Sequence, residues 1–200
     1  MSPPTPMRQD ERRAQPEGGT SLEISGQFKG REEEIADMVA ATFTDSEGAE
    51  EGALIGGLVR RLLTATPEED LFVFTGRADG AIVAAAIFSR LTYAGDARAV
   101  FILSPMAVAT DRQGEGLGRE LLRHALGALR EAGVDIAVTY GDPAFYGQVG
   151  FRPLTEEIAP PPLPLSQPEG WIGQSLTGAA LTPLRGPCTC VAALDVPALW

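Results

Sequence analysis

Between Arg31 and about Thr44 the apolar positions Ile35, Val39 and Phe43 recur in steps of four, with Met38 between them. That spacing predicts an amphipathic helix. Glu32, Glu33 and Glu34 fall in its first turn, where the helix dipole favours negative charge. A second helix is expected from about Glu47 to Leu63, with Leu54, Leu58 and Leu62 as its face and Gly56 and Gly57 lowering its propensity. Strand patterns surround this pair. Ser21–Ile24 is a short candidate. Leu71–Phe74 and Ala81–Leu91 are joined across Asp79-Gly80, a hairpin signal. After the turn Tyr93–Asp96, the apolar run Ala99–Ala109 reads as a buried strand in which Pro105 demands a bulge or a missing ladder bond. A third helix is expected from about Leu117 to Ala132, carrying Leu117, Leu121, Leu122, Ala125, Leu126 and Leu129 on one face and Gly133 as its C-terminal cap. Val134, Ile136, Val138 and Tyr140 then alternate as in a strand. Pro143 to about Gln148 reads as a short helix and Phe151–Leu154 as a short strand. A Pro-rich connector, Ala159–Pro168, precedes two further strand candidates, Trp171–Leu176 and Thr189–Ala193. No internal repeat is visible. The order of elements implies a mixed α/β architecture whose central strands are antiparallel, because their turns are short.

Composition narrows this picture. Two hundred residues suit one domain with a sizeable core, and 44% hydrophobic with 22% charged residues argues against a wholly disordered chain. Met1–Thr20 is the exception: rich in Pro, Arg and Glu without a hydrophobic period, it reads as a disordered tail. It also lacks the apolar core of a secretory signal, and no run approaches the length of a membrane span, so a cytoplasmic protein without membrane partners is expected. A net charge of −11 disfavours binding along a nucleic-acid backbone. One histidine and two cysteines argue against His-based zinc sites and a disulfide framework, so no metal is expected. Fifteen of the sixteen basic residues are arginine, Lys29 being the exception; with abundant Ala, Gly and Pro this reads as base composition rather than function.

The stretch Arg112-Gln113-Gly114-Glu115-Gly116-Leu117-Gly118 follows a buried strand and opens a helix. Glycines let successive N–H groups turn into one concavity, and the helix N-terminus adds positive potential, which suits phosphate or pyrophosphate. Arg112, Arg119 and Arg123 add charge nearby. A P-loop is excluded by the absence of Gly-Lys-Ser/Thr, and a dinucleotide fingerprint fails because Arg119 occupies the last glycine position. On this stretch alone a tight turn that binds nothing stays open.

Gln113-Gly114-Glu115-Gly116-Leu117-Gly118 resembles the acetyl-CoA loop of the GCN5-related N-acetyltransferases (GNAT), Gln/Arg-x-x-Gly-x-Gly/Ala. Leu103–Gln113 is similar to that family's fourth strand. Gly141-Asp142-Pro143-Ala144-Phe145-Tyr146-Gly147-Gln148-Val149-Gly150-Phe151 resembles its Tyr-x-x-x-Gly-Phe segment, nearest to a bacterial N-acetyltransferase subgroup with Gly-Asp-Pro before the tyrosine. The resemblance covers about Ser21 to Leu154. It divides the chain into a tail (1–20), a GNAT-like acyltransferase domain (21–155) and a segment completing the fold (156–200). It implies a mostly antiparallel sheet with helices on both faces and a splayed strand pair that admits acyl-CoA. Met106 and Val108 would pair through their backbones with the pantetheine arm, and Arg112 and the backbone of Gln113, Gly114, Glu115, Gly116, Leu117 and Gly118 would hold the pyrophosphate. Tyr146 would protonate the departing thiolate, a role suited to a phenol that titrates near 10. The co-substrate would be acetyl-CoA and the acceptor an amine.

The residues leave several points open. Glu47, Glu50, Glu51 and Asp142 are candidates for the base, none of them assigned. His124 reads as a surface residue, and Cys188 and Cys190 as small strand residues, with an acyl-cysteine route as their alternative. Trp200 either docks on the core or joins a homodimer. A non-catalytic acyl-CoA sensor and a transferase of another acyl group are the rival functions.

Overall fold

The computed structural model describes residues 22–200; the tail assigned to Met1–Thr20, and Ser21 of the first expected strand, lie outside the described residues. In chain order the elements are β1 (Glu23–Ser25), α1 (Glu32–Glu47), α2 (Ala49–Ala65), β2 (Leu71–Ala78), β3 (Ala81–Tyr93) and β4 (Val100–Val108). There follow α3 (Leu117–Glu131), β5 (Ile136–Tyr140), α4 (Pro143–Tyr146), β6 (Arg152–Pro153), β7 (Trp171–Ser175) and β8 (Cys188–Cys190). The strands form one sheet in the order β1-β2-β3-β4-β5-β7-β6, with β8 pairing the far end of β3. Every pairing is antiparallel except β4–β5.

The pleat sorts side chains onto two faces. On one, Ile35 and Val39 of α1 and Leu58 and Leu62 of α2 pack with Ala85, Ile87, Ile102 and Val138. On the other, Leu121, Leu122, Ala125 and Leu129 of α3 pack with Ala84, Ala86, Phe88 and Phe101. These four α3 residues are fully buried, and each such leucine stabilises the fold by about 1.5–3 kcal/mol.

The buried face of α2 differs from the expected one. Leu58 and Leu62 are buried, but the stripe runs through Gly52, Ile55, Gly56 and Val59, with Leu54 only half-buried. The rotation follows from the contact with α1. A Cβ on Gly52 would lie 1.9 Å from Thr44 Oγ1, and one on Gly56 would lie 2.8 Å from Ala40 Cβ. The glycines that weaken the helix locally are what let it approach α1.

Pro105 has the effect expected of it. Opposite Ile87 of β3, β4 carries both Ser104 and Pro105, so the register slips between Ala86↔Met106 and Phe88↔Leu103. The parallel pairing of β4 with β5 covers only Val100–Leu103 against Ile136–Thr139. Beyond the bulge β4 runs on without a β5 partner, and the sheet opens there.

Candidate functional site

The site lies in that opening. Ala109 N–H donates to Val83 O at 2.8 Å, so Ala109 faces β3. By alternation Ala107 also faces β3, while Met106 and Val108 turn their N–H and C=O groups to the open edge. Gln113 Nε2 donates to the Val108 carbonyl at 3.0 Å from that open side, in keeping with this orientation.

After β4 the chain makes one 3-10 turn, Thr110–Arg112, and enters α3 through Gly114 and Gly116, whose φ values are 80° and 85°. A side chain at either position would be strained in this left-handed conformation. Among the described residues, the N–H groups of Gly114, Glu115, Gly116, Leu117 and Gly118 donate to no other protein group. They sit at the N-terminus of a helix 15 residues long, where the dipole adds positive potential. Gly118 lets α3 close on β4: a Cβ there would lie 2.9 Å from Met106 Cε and 3.2 Å from Val108 Cγ2.

A cavity of about 460 Å³ runs from this turn along β4 to α4. Of the residues expected to hold a cofactor, Met106, Val108, Arg112, Gln113, Gly114, Gly116, Leu117 and Gly118 line it, and Tyr146 lines it too. Glu115 does not line it. Its carboxylate instead accepts from Arg112 Nε at 3.1 Å, and Asp79 lies 3.4 Å from the same guanidinium. Arg112 is therefore not the free positive charge the sequence suggests. Arg119 lines the cavity, held by a 2.8 Å bond to Gln148 Oε1, whereas Arg123 is exposed and does not. Phe145 and Gln148 also line it. Gln148 carries no signal in the sequence, because only the turn of α4 into the following 3-10 helix brings it round.

Tyr146 ends α4, a single turn capped by Asp142, whose carboxylate accepts from Ala144 N–H at 2.8 Å. Its ring is wedged edge-on between Phe145 and Phe151, at centroid distances of 5.0 and 5.7 Å. Gly141 makes room for it, since a Cβ there would lie 2.7 Å from Tyr146 Cε2. The hydroxyl points at Met106 Sδ, 4.0 Å away. Burial pushes the phenol up to about 12, with the Thr139 hydroxyl opposing and the Asp142 charge adding to the rise.

A second cavity, of about 420 Å³, lies on the α1–α2 side, and Met106 and Tyr146 line it as well. Its wall includes Glu51 of α2, Tyr140 of β5 and Trp200. Of the four base candidates only Glu51 reaches it; Glu47 and Glu50 are exposed, and Asp142 caps α4. Cys188 and Cys190 lie on β8 and line neither cavity, and burial raises both thiols to about 11. His124 is exposed, edge-on to Phe74. Trp200 is buried against Trp171, their ring centroids 6.2 Å apart. Among the described residues no cluster of three or more His, Cys, Asp or Glu could hold a metal, and no helix is long and apolar enough to cross a membrane.

Comparison with known proteins gives this geometry a family. Residues 67–153 match the family model described as an acetyltransferase (GNAT) domain. The chain is 32% identical over 138 residues to the uncharacterized N-acetyltransferase YjhQ of Escherichia coli K12, covering 66% of this chain and 76% of that protein. The crystal structure of the GNAT family N-acetyltransferase YhbS from Escherichia coli in complex with CoA superposes with a TM-score of 0.73 at 21% identity, over 92% of this chain and 97% of that one. A GNAT family acetyltransferase from Brucella melitensis in complex with acetyl-CoA gives a TM-score of 0.69 at 24% identity, over 88% and 99%. The chain belongs to the GNAT family of N-acetyltransferases.

Proposed function

We propose that the protein transfers the acetyl group of acetyl-CoA to an amine by direct attack within a ternary complex. The observation that carries this is that Met106 and Tyr146 line two cavities at once, one of which reaches the loop Gly114–Gly118, whose amides have no partner among the described residues. The CoA and acetyl-CoA in the two similar structures support the choice of co-substrate. In this reading the pyrophosphate lies on the loop amides and the pantetheine arm adds to the open edge of β4 at Met106 and Val108. The acceptor enters from the α1–α2 side. Its neutral nitrogen attacks the thioester carbon, a C–N bond forms and the C–S bond breaks. Tyr146 gives its proton to the thiolate and regains one from the nitrogen, directly or through water. The half-buried phenol stays protonated at neutral pH, as an acid must.

Calorimetry with acetyl-CoA and with CoA tests the cofactor site. Micromolar affinity is expected, lost in Gly116→Val, where a β-branched side chain would be forced into the left-handed region. Absence of acyl-CoA binding by folded protein would overturn the reading. Binding without turnover on any amine would favour an acyl-CoA sensor, and preference for a longer acyl-CoA another donor.

A further inference from the structure

Resting on the transferase reading, we infer that the acceptor is a small amine with one ammonium group on an apolar body, held by Glu51. The second cavity is walled mainly by apolar and aromatic side chains, among them Phe43, Ile55, Ile102, Leu199 and Trp200. Among the described residues Glu51 contributes the one charged side chain to its wall. Among the described residues its carboxylate has no ion-pair partner, whereas two carboxylates of the neighbouring α1, Glu33 and Asp37, are taken by Arg60 of α2.

The neutral polar groups of the wall are largely engaged. Thr139 Oγ1 donates to the Leu103 carbonyl at 2.9 Å. The Tyr140 hydroxyl shares a hydrogen bond with Ser166 Oγ at 2.9 Å and accepts from Gln167 N–H at 2.5 Å. Ser104, the Gln167 side chain and the Tyr146 hydroxyl, 4.0 Å from Met106 Sδ, are what remain.

Each property of the wall selects a property of the ligand. A single charged side chain, a carboxylate, set among the aromatic and aliphatic side chains of the wall matches one cation. A second ammonium would find no second charged side chain in the wall, which disfavours polyamines and aminoglycosides. A carboxylate on the acceptor would meet no cationic side chain and would be repelled by Glu51, which disfavours free amino acids. A volume of about 420 Å³ suits a small molecule, and the net charge of −11 draws a cation toward the protein.

The test uses phenethylamine as probe, with phenylalanine and spermidine as counter-probes, and has two readouts. Binding is measured directly by calorimetry on the CoA-loaded protein, and turnover by thiol release from acetyl-CoA. Phenethylamine is expected to bind and be acetylated, and the counter-probes to fail. Glu51→Gln is expected to weaken phenethylamine binding about tenfold or more, the scale of one lost charge-assisted contact, with acetyl-CoA affinity unchanged. Glu50→Gln, on the exposed side of the same helix, is expected to change neither. Equal phenethylamine affinity in wild type and Glu51→Gln overturns the inference. So does acetylation of phenylalanine or spermidine in preference to phenethylamine, an outcome that leaves the transferase reading standing. Loss of acetyl-CoA binding itself would strike the transferase reading and is seen before any amine is added.

Discussion

At the scale of single residues, Tyr146 is held by three neighbours: the edge-on rings of Phe145 and Phe151, and Gly141, whose missing Cβ leaves space for the ring. Tyr146→Phe keeps the ring and removes the proton. Turnover is expected to fall about a hundredfold, the scale of general acid catalysis, with the acetyl-CoA dissociation constant unchanged. Thiol release and calorimetry read the two separately, and an unaltered rate would remove the phenol from the mechanism. The pH dependence has a definite sign. With the phenol raised to about 12, its protonated form persists well above the ordinary value near 10. The tyrosine should therefore impose no descending limb on kcat below about pH 10. Its contribution to stability is complete below about pH 10 and is lost as pH rises toward the folded value. Much of this site was legible in the sequence, because its glycines and its tyrosine stand in two contiguous motifs. Glu51 was not. Glu47, Glu50 and Glu51 look alike along the chain, and only the rotation of α2 against α1 turns one of them into the cavity.

At the scale of elements, that rotation rests on glycine. Gly56 is poor for an isolated helix, yet a Cβ there would lie 2.8 Å from Ala40 Cβ, an atom with no torsion by which to move away. Gly56→Leu is expected to destabilise the protein by about 1–3 kcal/mol through overpacking. Gly57 is a matched control one residue along, since its added Cβ would meet only the flexible Arg61 guanidinium at 3.4 Å. Gly57→Ala is expected to be neutral or to stabilise by up to about 1 kcal/mol from helix propensity. Denaturant titrations of the two variants check the pair. Equal effects would mean that the helices do not meet through Gly56. Leucine spacing suggested a stripe through Leu54, while the packed face runs through Ile55, because local periodicity does not register how closely a neighbouring helix approaches. The bulge in β4 was legible for the opposite reason. Pro105 lacks an N–H, so a local chemical fact forces a break in the ladder wherever the strand pairs.

At the scale of the whole molecule, the last part of the chain holds the Tyr146 segment in place. β7 is not appended to the sheet's edge; it lies between β5 and β6, pairing Ile136–Tyr140 on one side and Arg152–Pro153 on the other. Strand patterning exposed Trp171–Leu176 as a strand but could not show where it inserts, because its partners are nonlocal. The insertion bears on Tyr146 from both ends of its segment. Gly141 N–H donates to the Gly170 carbonyl at 3.0 Å, and Gln174 Nε2 donates to the Val149 carbonyl at 3.1 Å. Trp171, fully buried, donates through Nε1 to the Ala159 carbonyl at 2.8 Å and packs against Trp200. A chain ending at Leu154 would keep both sequence motifs and the whole of the matched family region, yet lose β7 and β8. It would leave β5 as a bare edge and the Tyr146 segment without either hydrogen bond. Such a truncation is expected to lose cooperative thermal unfolding and, with it, acetylation, even though the loop from Gln113 to Gly118 is intact. Circular dichroism melts of the truncated and full chains measure this. A sharp transition in the shortened chain with normal turnover would mean that residues 155–200 decorate the domain, whereas a broad one would mean that the acetyl-transfer site is assembled only when the chain returns to insert β7.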